Sequence, residues 1–304
     1  MTTLPLKPPQ SSAAAPQFKV LTPFQLAWRR FRRNKMGYVG IAIVAGFMFI
    51  SIFANFLAPY DYDRTNLSNV TKQPGTSMAN PLGTDDLGRD QLSRLIYGAR
   101  TSFIVATTAQ VVSLVIGVVL GLLSGWYGGW VDFAINRIIE LVGSLPGLLF
   151  QILLMTLLGN GIAQVTFVIA VLSWPGMVRL VRAQVLSYKE RDFVTASTSL
   201  GASTPFVMLR HVMPNIMNPL IVAISFGVPG FITAEAGLSF LGYGINEPIP
   251  SWGKMVGKAG QWLASPNFHY LMTWPTGFLA TLVLGFAFLG DALRDALDPS
   301  SDRV

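Results

Sequence analysis

The apolar residues of this chain gather in long runs separated by polar stretches. Six of the runs are long enough for a helix to cross roughly 30 Å of hydrocarbon; they cover residues 38–57, 102–126, 133–158, 162–180, 216–241 and 270–289. The third and fourth are parted only by Gly159-Asn160-Gly161, a turn signal tight enough for a helical hairpin. Pro146, Pro175, Pro219 and Pro229 lie within or near the runs. There they either unwind backbone to line a cavity or bend a helix in the ordinary way. The pattern predicts an all-α, polytopic membrane protein with about six transmembrane helices. Around them it predicts a disordered leader over 1–23, a basic amphipathic segment over 24–37 carrying Phe24, Leu26, Trp28 and Phe31, an outer loop over 58–101 and a tail over 290–304. The transmembrane core, 102–289, contains one long loop at 181–215.

Composition agrees with a bilayer as solvent. Hydrophobic residues make up 51% of the chain and charged residues 12%, about half the roughly 25% usual in soluble proteins. A net charge of +7 could suggest nucleic acid, but the basic residues sit in the N-terminal arm and in loops beside apolar runs. That placement is an orientation signal, and no nucleic-acid partner is expected. Of the 22 basic residues, fifteen fall on the inner side and seven on the outer side if the N-terminus is cytoplasmic. Both termini are therefore expected on the inner side of the membrane. The first run follows Arg29, Arg30, Arg32, Arg33 and Lys35 and reads as an uncleaved, spanning anchor rather than a signal peptide. The chain has no cysteine, and His211 and His269 are its only imidazoles.

An inner loop as long as 181–215 needs a purpose. Phe193, Ala196 and Leu200 share one helical face, Gly201 can stop that helix, and Thr204-Pro205 can start another. Two short helices at an angle are expected outside the membrane. On periodicity alone they could simply rest on lipid.

The spacing in this loop resembles the motif Glu-Ala-Ala, three residues, Gly, nine residues, Ile-x-Leu-Pro of ABC importer permeases. Thr195, Ala196 and Ser197 stand at the first triplet, Gly201 at the glycine, and His211, Met213 and Pro214 at the last three fixed positions. Thr195, Ser197 and His211 depart from the pattern. Two further segments are similar to signatures of the C-type permease subunit of oligopeptide and dipeptide importers. They run from Leu82-Gly83-Thr84-Asp85-Asp86-Leu87-Gly88-Arg89-Asp90 to Arg100, and from Gly290-Asp291 to Asp298-Pro299. The resemblance implies a non-catalytic subunit with no cofactor, whose loop docks as a coupling helix on an ATPase. Phe193, Leu200 and Arg210 join the motif positions in that expected contact. It also implies a homologous second permease, two cytoplasmic ATPase subunits, an external solute-binding protein and a peptide cargo. Oligopeptide is favoured over dipeptide by the stretches 240–244 and 251–253 and by Arg210-His211. Relatives that move nickel complexes or glutathione keep other cargoes open.

Charged residues inside spans are costly and therefore candidates for function. Arg137 and Glu140, three residues apart, form either a local pair or part of a pathway; Glu235 has no obvious sequence partner. An ion-coupled secondary transporter would use Glu140 or Glu235, but would have no reason to carry the 195–214 spacing. Gly237-Leu238-Ser239 faintly resembles a rhomboid-type serine motif, yet both histidines are expected outside the spans. There is no phosphate-binding Gly-x-x-x-x-Gly-Lys-Ser/Thr run and no His-Glu-x-x-His run. Energy is thus expected from a partner or an ion gradient.

Overall fold

The computed structural model describes residues 23–262 and 264–298. The expected leader, apart from Pro23, and the last six residues of the expected tail lie outside the described residues. Among those described there are twelve α-helices and no β-strand beyond one isolated bridge, Thr84 to Asp90.

Helix α1 (Pro23–Phe31) turns tightly into α2 (Lys35–Ile52), whose first turn is capped by Asn34 Oδ1 accepting from Gly37 N at 3.1 Å. One further turn, α3 (Ala54–Leu57), leads into the loop expected over 58–101. That loop is shorter than 58–101, because α4 (Gln91–Tyr127) begins well before the apolar run does. Two local causes explain the early start. Asp90 caps the helix by accepting from Ser93 N at 2.8 Å, and the face carrying Leu95 and Ala99 is fully buried.

The third run does not make one helix. It divides into α5 (Gly129–Ser144) and α6 (Gly147–Leu158), bent by 87°. Leu145 is extended, with φ −80° and ψ 136°, as expected before a proline, and Pro146 offers no N–H to continue the ladder. Among the described residues five helical segments are individually long and apolar enough to span, and six if the bent pair counts as one crossing. After the glycine turn, α7 (Ile162–Lys189) runs nine residues past the expected end of its span at Leu180. Its packing explains the extension. Gly117, Gly121 and Gly125 on α4 face Met177, Val181 and Val185 on α7, so closely that a Cβ at Gly121 would sit 2.6 Å from Val181 Cβ. In lipid, where apolar side chains gain little by leaving their surroundings, such small-residue contacts hold helices together.

Helix α8 (Asp192–Ser199) is separate, whereas α9 (Thr204–Val207) is not. A π-helical turn, Met208–Val212, carries α9 directly into α10 (Met213–Phe240), so the second short helix expected in the loop is the near end of the fifth span. Pro214 is the physical reason. Its ring cannot donate to the carbonyl of Arg210 and crowds it, and a wider turn relieves both problems. Helix α11 (Trp252–Ala259) lies against α10, with Gly253 and Gly257 meeting the backbone of Ala236 and Phe240. Finally α12 (Tyr270–Leu297) continues eight residues beyond the expected span end at Leu289 and packs on α2 and α1. Phe31 of α1 is buried with Ala292 and Ala296 of α12, which places both ends of the described chain at the same end of the bundle.

Candidate functional site

The two largest apolar clusters among the described residues divide the bundle lengthwise. One surrounds fully buried Trp252 and includes Leu95, Ala99 and Leu282. The other lies at the opposite end of α4 and includes Trp126, Val185, Val194, Val207, Val212 and Ile216. The expected coupling loop is built on this second cluster.

Within α8 only Val194 points inward, at 1% exposure. Leu200 and Gly201 close the helix. The N–H of Gly201 bonds Thr198 O at 3.0 Å, that of Ala202 bonds Ser197 O at 3.1 Å, and Gly201 takes φ +86°. This Schellman arrangement needs a residue that tolerates the left-handed region, which is what Gly201 supplies. Leu200 is then left 89% exposed at the apex, with Phe193 partly exposed and Phe206 and Leu209 exposed across the turn. His211 sits between Phe193 and Phe206, its ring 6.2 Å and 5.7 Å from theirs. Thr195, Ala196 and Arg210 also face outward, Ser197 is half-buried, Met213 packs on the cluster below, and exposed Pro214 follows the π turn. Phe193, His211 and Phe206 thus form one aromatic patch; Phe206 and Leu209 were not among the sequence candidates.

Arg137 and Glu140 do pair, at 3.0 Å, and both are more than 60% exposed. Nearer the loop lies a stronger pair that sequence reasoning missed. Arg182 on α7 grips Asp132 on α5 with two bonds of 2.6 Å and 2.7 Å, and Ser124 Oγ and Asn136 Nδ2 donate to the same carboxylate. Fifty residues separate the two charges, so no local spacing announces them.

Glu235 is fully buried at the other end. Its Oε1 accepts from Ser239 Oγ and Ser251 Oγ, each at 2.7 Å, which ties α10 to the start of α11. Ser102 Oγ is a third buried hydroxyl close to this carboxylate. Ser239 is therefore held by a carboxylate rather than by an imidazole. Neither histidine lies here: His211 is in the aromatic patch and His269 precedes α12. Among the described residues no constellation of a serine hydrolase is assembled.

The segment from Leu82 to Asp90 folds into a cap over this end of the bundle. Asp85 Oδ1 accepts from the N–H of Leu87 and of Arg89, both at 2.9 Å, and Arg89 Nε returns to Asp85 Oδ2 at 2.6 Å. Arg89 Nη1 then donates to Glu247 Oε2 at 2.6 Å, and Arg94 and Lys258 approach Glu247 Oε1 at 3.4 Å and 3.0 Å. The guanidinium side chains of Arg89 and Arg94 are only 3% exposed. Burial opposes the charge on Glu247, but Arg94, Lys258 and Arg89 outweigh it and hold its carboxyl down at about 2. Tyr270 Oη donates to Thr84 O at 2.7 Å, fixing the cap to α12. No group of three or more His, Cys, Asp or Glu fit to hold a metal occurs among the described residues.

This architecture has known relatives. Two solved structures of the MetNI methionine ABC transporter in inward facing conformations share the fold, with TM-scores of 0.55 and 0.53 at 17% and 18% identity; they cover 67% and 68% of this chain and 96% and 97% of theirs. The oligopeptide transport system permease protein OppC of Bacillus subtilis is 40% identical over 282 residues, 92% of this chain and 91% of the relative. The dipeptide transport system permease protein DppC of Escherichia coli is 44% identical over 283 residues, 92% of this chain and 94% of the relative. Residues 22–74 match the N-terminal transmembrane domain of oligopeptide transport permease C, and residues 117–303 match the binding-protein-dependent transport system inner membrane component. Multi-pass, all-helical and alike over nearly its whole length, the chain belongs to the family of binding-protein-dependent transport system inner membrane components.

Proposed function

We propose that this chain is one permease half of an ATP-driven importer for short peptides. In this reading a homologous permease completes the pathway, two ATPases engage the 192–214 loop from the cytoplasm, and an external binding protein delivers cargo. Both termini face the cytoplasm. Relatives of the oligopeptide and the dipeptide kind align equally far along the chain, so the cargo is proposed as a short peptide of either length.

The observation that carries the coupling role is the apex at Leu200. A leucine 89% exposed outside the apolar spans, beside exposed Phe193, Phe206 and Leu209, is an anchor awaiting a pocket. The rigid Schellman turn holds it in place, and Val194 ties its helix to the α4–α7 end of the bundle. ATPase closure would pull on α8, and the packed α4–α7 pair would pass the movement to the pathway as rigid-body gating.

The test uses the assembled transporter in liposomes with Leu200→Asp. Peptide uptake and peptide-stimulated ATP hydrolysis should fall at least about tenfold, given the usual weight of a buried apolar anchor, while membrane insertion stays normal. Unchanged uptake in a fully inserted variant would remove the coupling role from this loop.

A further inference from the structure

We infer that the junction of α1 and α2 is a binding site for the headgroup of an anionic phospholipid. The inference rests on membrane insertion and on local chemistry, and holds whatever the cargo.

Arg29, Arg32, Arg33 and Lys35 are all exposed within seven residues of chain, and no ion pair engages any of them among the described residues. Arg30 is used differently: its Nη1 donates to Asp298 O at 2.7 Å, and Phe31 beside it is buried on α12. The junction is therefore not a loose arm. Anchored by Arg30 and Phe31, it holds four cations on a fixed turn, stopped at Asn34 by the cap on α2. The acids beside the junction are met by its other residues, Asp298 O by Arg30 Nη1 at 2.7 Å and Asp295 Oδ2 by Asn34 Nδ2 at 3.4 Å, and neither forms an ion pair with the four exposed cations among the described residues.

Placement selects the partner. The cations stand where α2 enters its apolar span, next to exposed Met36, Tyr38 and Val39. Trp28 is half exposed and stacks on Phe31 at 6.3 Å, with Tyr38 edge-on to the same ring at 6.2 Å. Amphipathic aromatics of this kind settle at headgroup depth, and basic side chains around them face phosphates. Nucleic acid would not require the apolar flank. A zwitterionic headgroup would leave the surplus positive charge unanswered. An anionic phospholipid satisfies both the charge and the apolar border.

The test measures lipid retained by the full-length chain in neutral detergent, by native mass spectrometry. Phosphatidylglycerol should be retained in preference to phosphatidylcholine, and less so as ionic strength rises. Arg29→Gln, Arg32→Gln, Arg33→Gln and Lys35→Gln together should abolish the preference, at about fivefold per charge removed. Arg29→Lys, Arg32→Lys and Arg33→Lys together should preserve it. A variant that does not fold is recognised by its melting temperature in phosphatidylcholine, and the salt titration of the unaltered protein then decides alone. Equal retention of the two lipids, a preference insensitive to salt, an unchanged preference in the Gln variant, or equal displacement of the lipid by inorganic phosphate would each overturn the inference.

Discussion

The two ends of this bundle are finished in opposite ways. At the Leu82–Asp90 cap, Arg89, Arg94, Asp85, Glu247 and Lys258 satisfy one another, Trp252 is wholly buried with its Nε1 donating to Leu95 O, and even the loop backbone is hydrogen-bonded. At the 192–212 end, no ion pair involves α8 among the described residues, and Phe193, Leu200, Phe206 and Leu209 stand in the open. An end that satisfies its own charges can fold by itself. Single apolar side chains also stand exposed around the cap, Leu67 and Met78 among them, so what sets the loop end apart is a cluster of large apolar groups with no charge network beside it, the mark of a contact surface. Substitutions at the cap should therefore register in stability, and substitutions at the loop apex in transport.

The largest effect belongs to Trp252→Ala. It removes a 0% exposed ring packed on Phe47, Phe278 and Gly98 together with its bond to Leu95 O. A loss of about 3–5 kcal/mol is expected in detergent unfolding. A loss below about 1 kcal/mol would mean that the cap is not self-completed, and the contrast would collapse.

Glu247→Leu comes next, at about 2–3 kcal/mol, because it strands two buried guanidinium groups and Lys258 without their shared acid. The same carboxyl sets a pH dependence. Its folded value of about 2 lies below the ordinary 4.5, so the unfolded state binds the proton first as pH falls. Its stabilisation is complete above the unfolded value and disappears as pH drops through the folded one. The melting temperature should decline between pH 4.5 and 2 in the unaltered protein, and the decline should be shallower in Glu247→Leu.

Gly201→Ala addresses the other end. Nothing crowds the position, so only the left-handed backbone resists a side chain, and about 1 kcal/mol is expected. Strain released by fraying the end of α8 would tilt Leu200, so uptake should fall more than stability does. Equal, small changes in both would indicate that the turn positions nothing.

These particulars also show where the sequence was readable. The apolar runs, the stop at Gly201 and the start at Thr204-Pro205 are local signals, and each leaves a trace in the fold. The second loop helix was misjudged because Val207, Val212 and Ile216 keep one buried stripe only if an extra residue is absorbed between the first two, which the π turn does and a 3.6-residue template cannot represent. Helix ends ran long for a related reason. Val181 and Val185 continue the contact with Gly121 and Gly125 after hydropathy has fallen away. Glu247 with Arg89, and Asp132 with Arg182, are separated by 158 and 50 residues. Their pairing is a product of topology, invisible to spacing.

Phe206→Ser should change stability least. The ring is 51% exposed and its described ring contact is with His211 at 5.7 Å, so unfolding should shift by no more than about 0.5 kcal/mol. If the exposed aromatic patch is completed by a partner, the same change should lower peptide-stimulated ATP hydrolysis in the assembled transporter several-fold, because an anchor is felt only when its pocket is present. The pair of measurements separates the two ends of the molecule: Trp252→Ala tests what the chain does for itself, and Phe206→Ser what it leaves to another subunit. Should Phe206→Ser lower stability and leave hydrolysis untouched, the loop end would be a second self-supporting cap, and the exposed leucine beside it would need a different explanation from coupling.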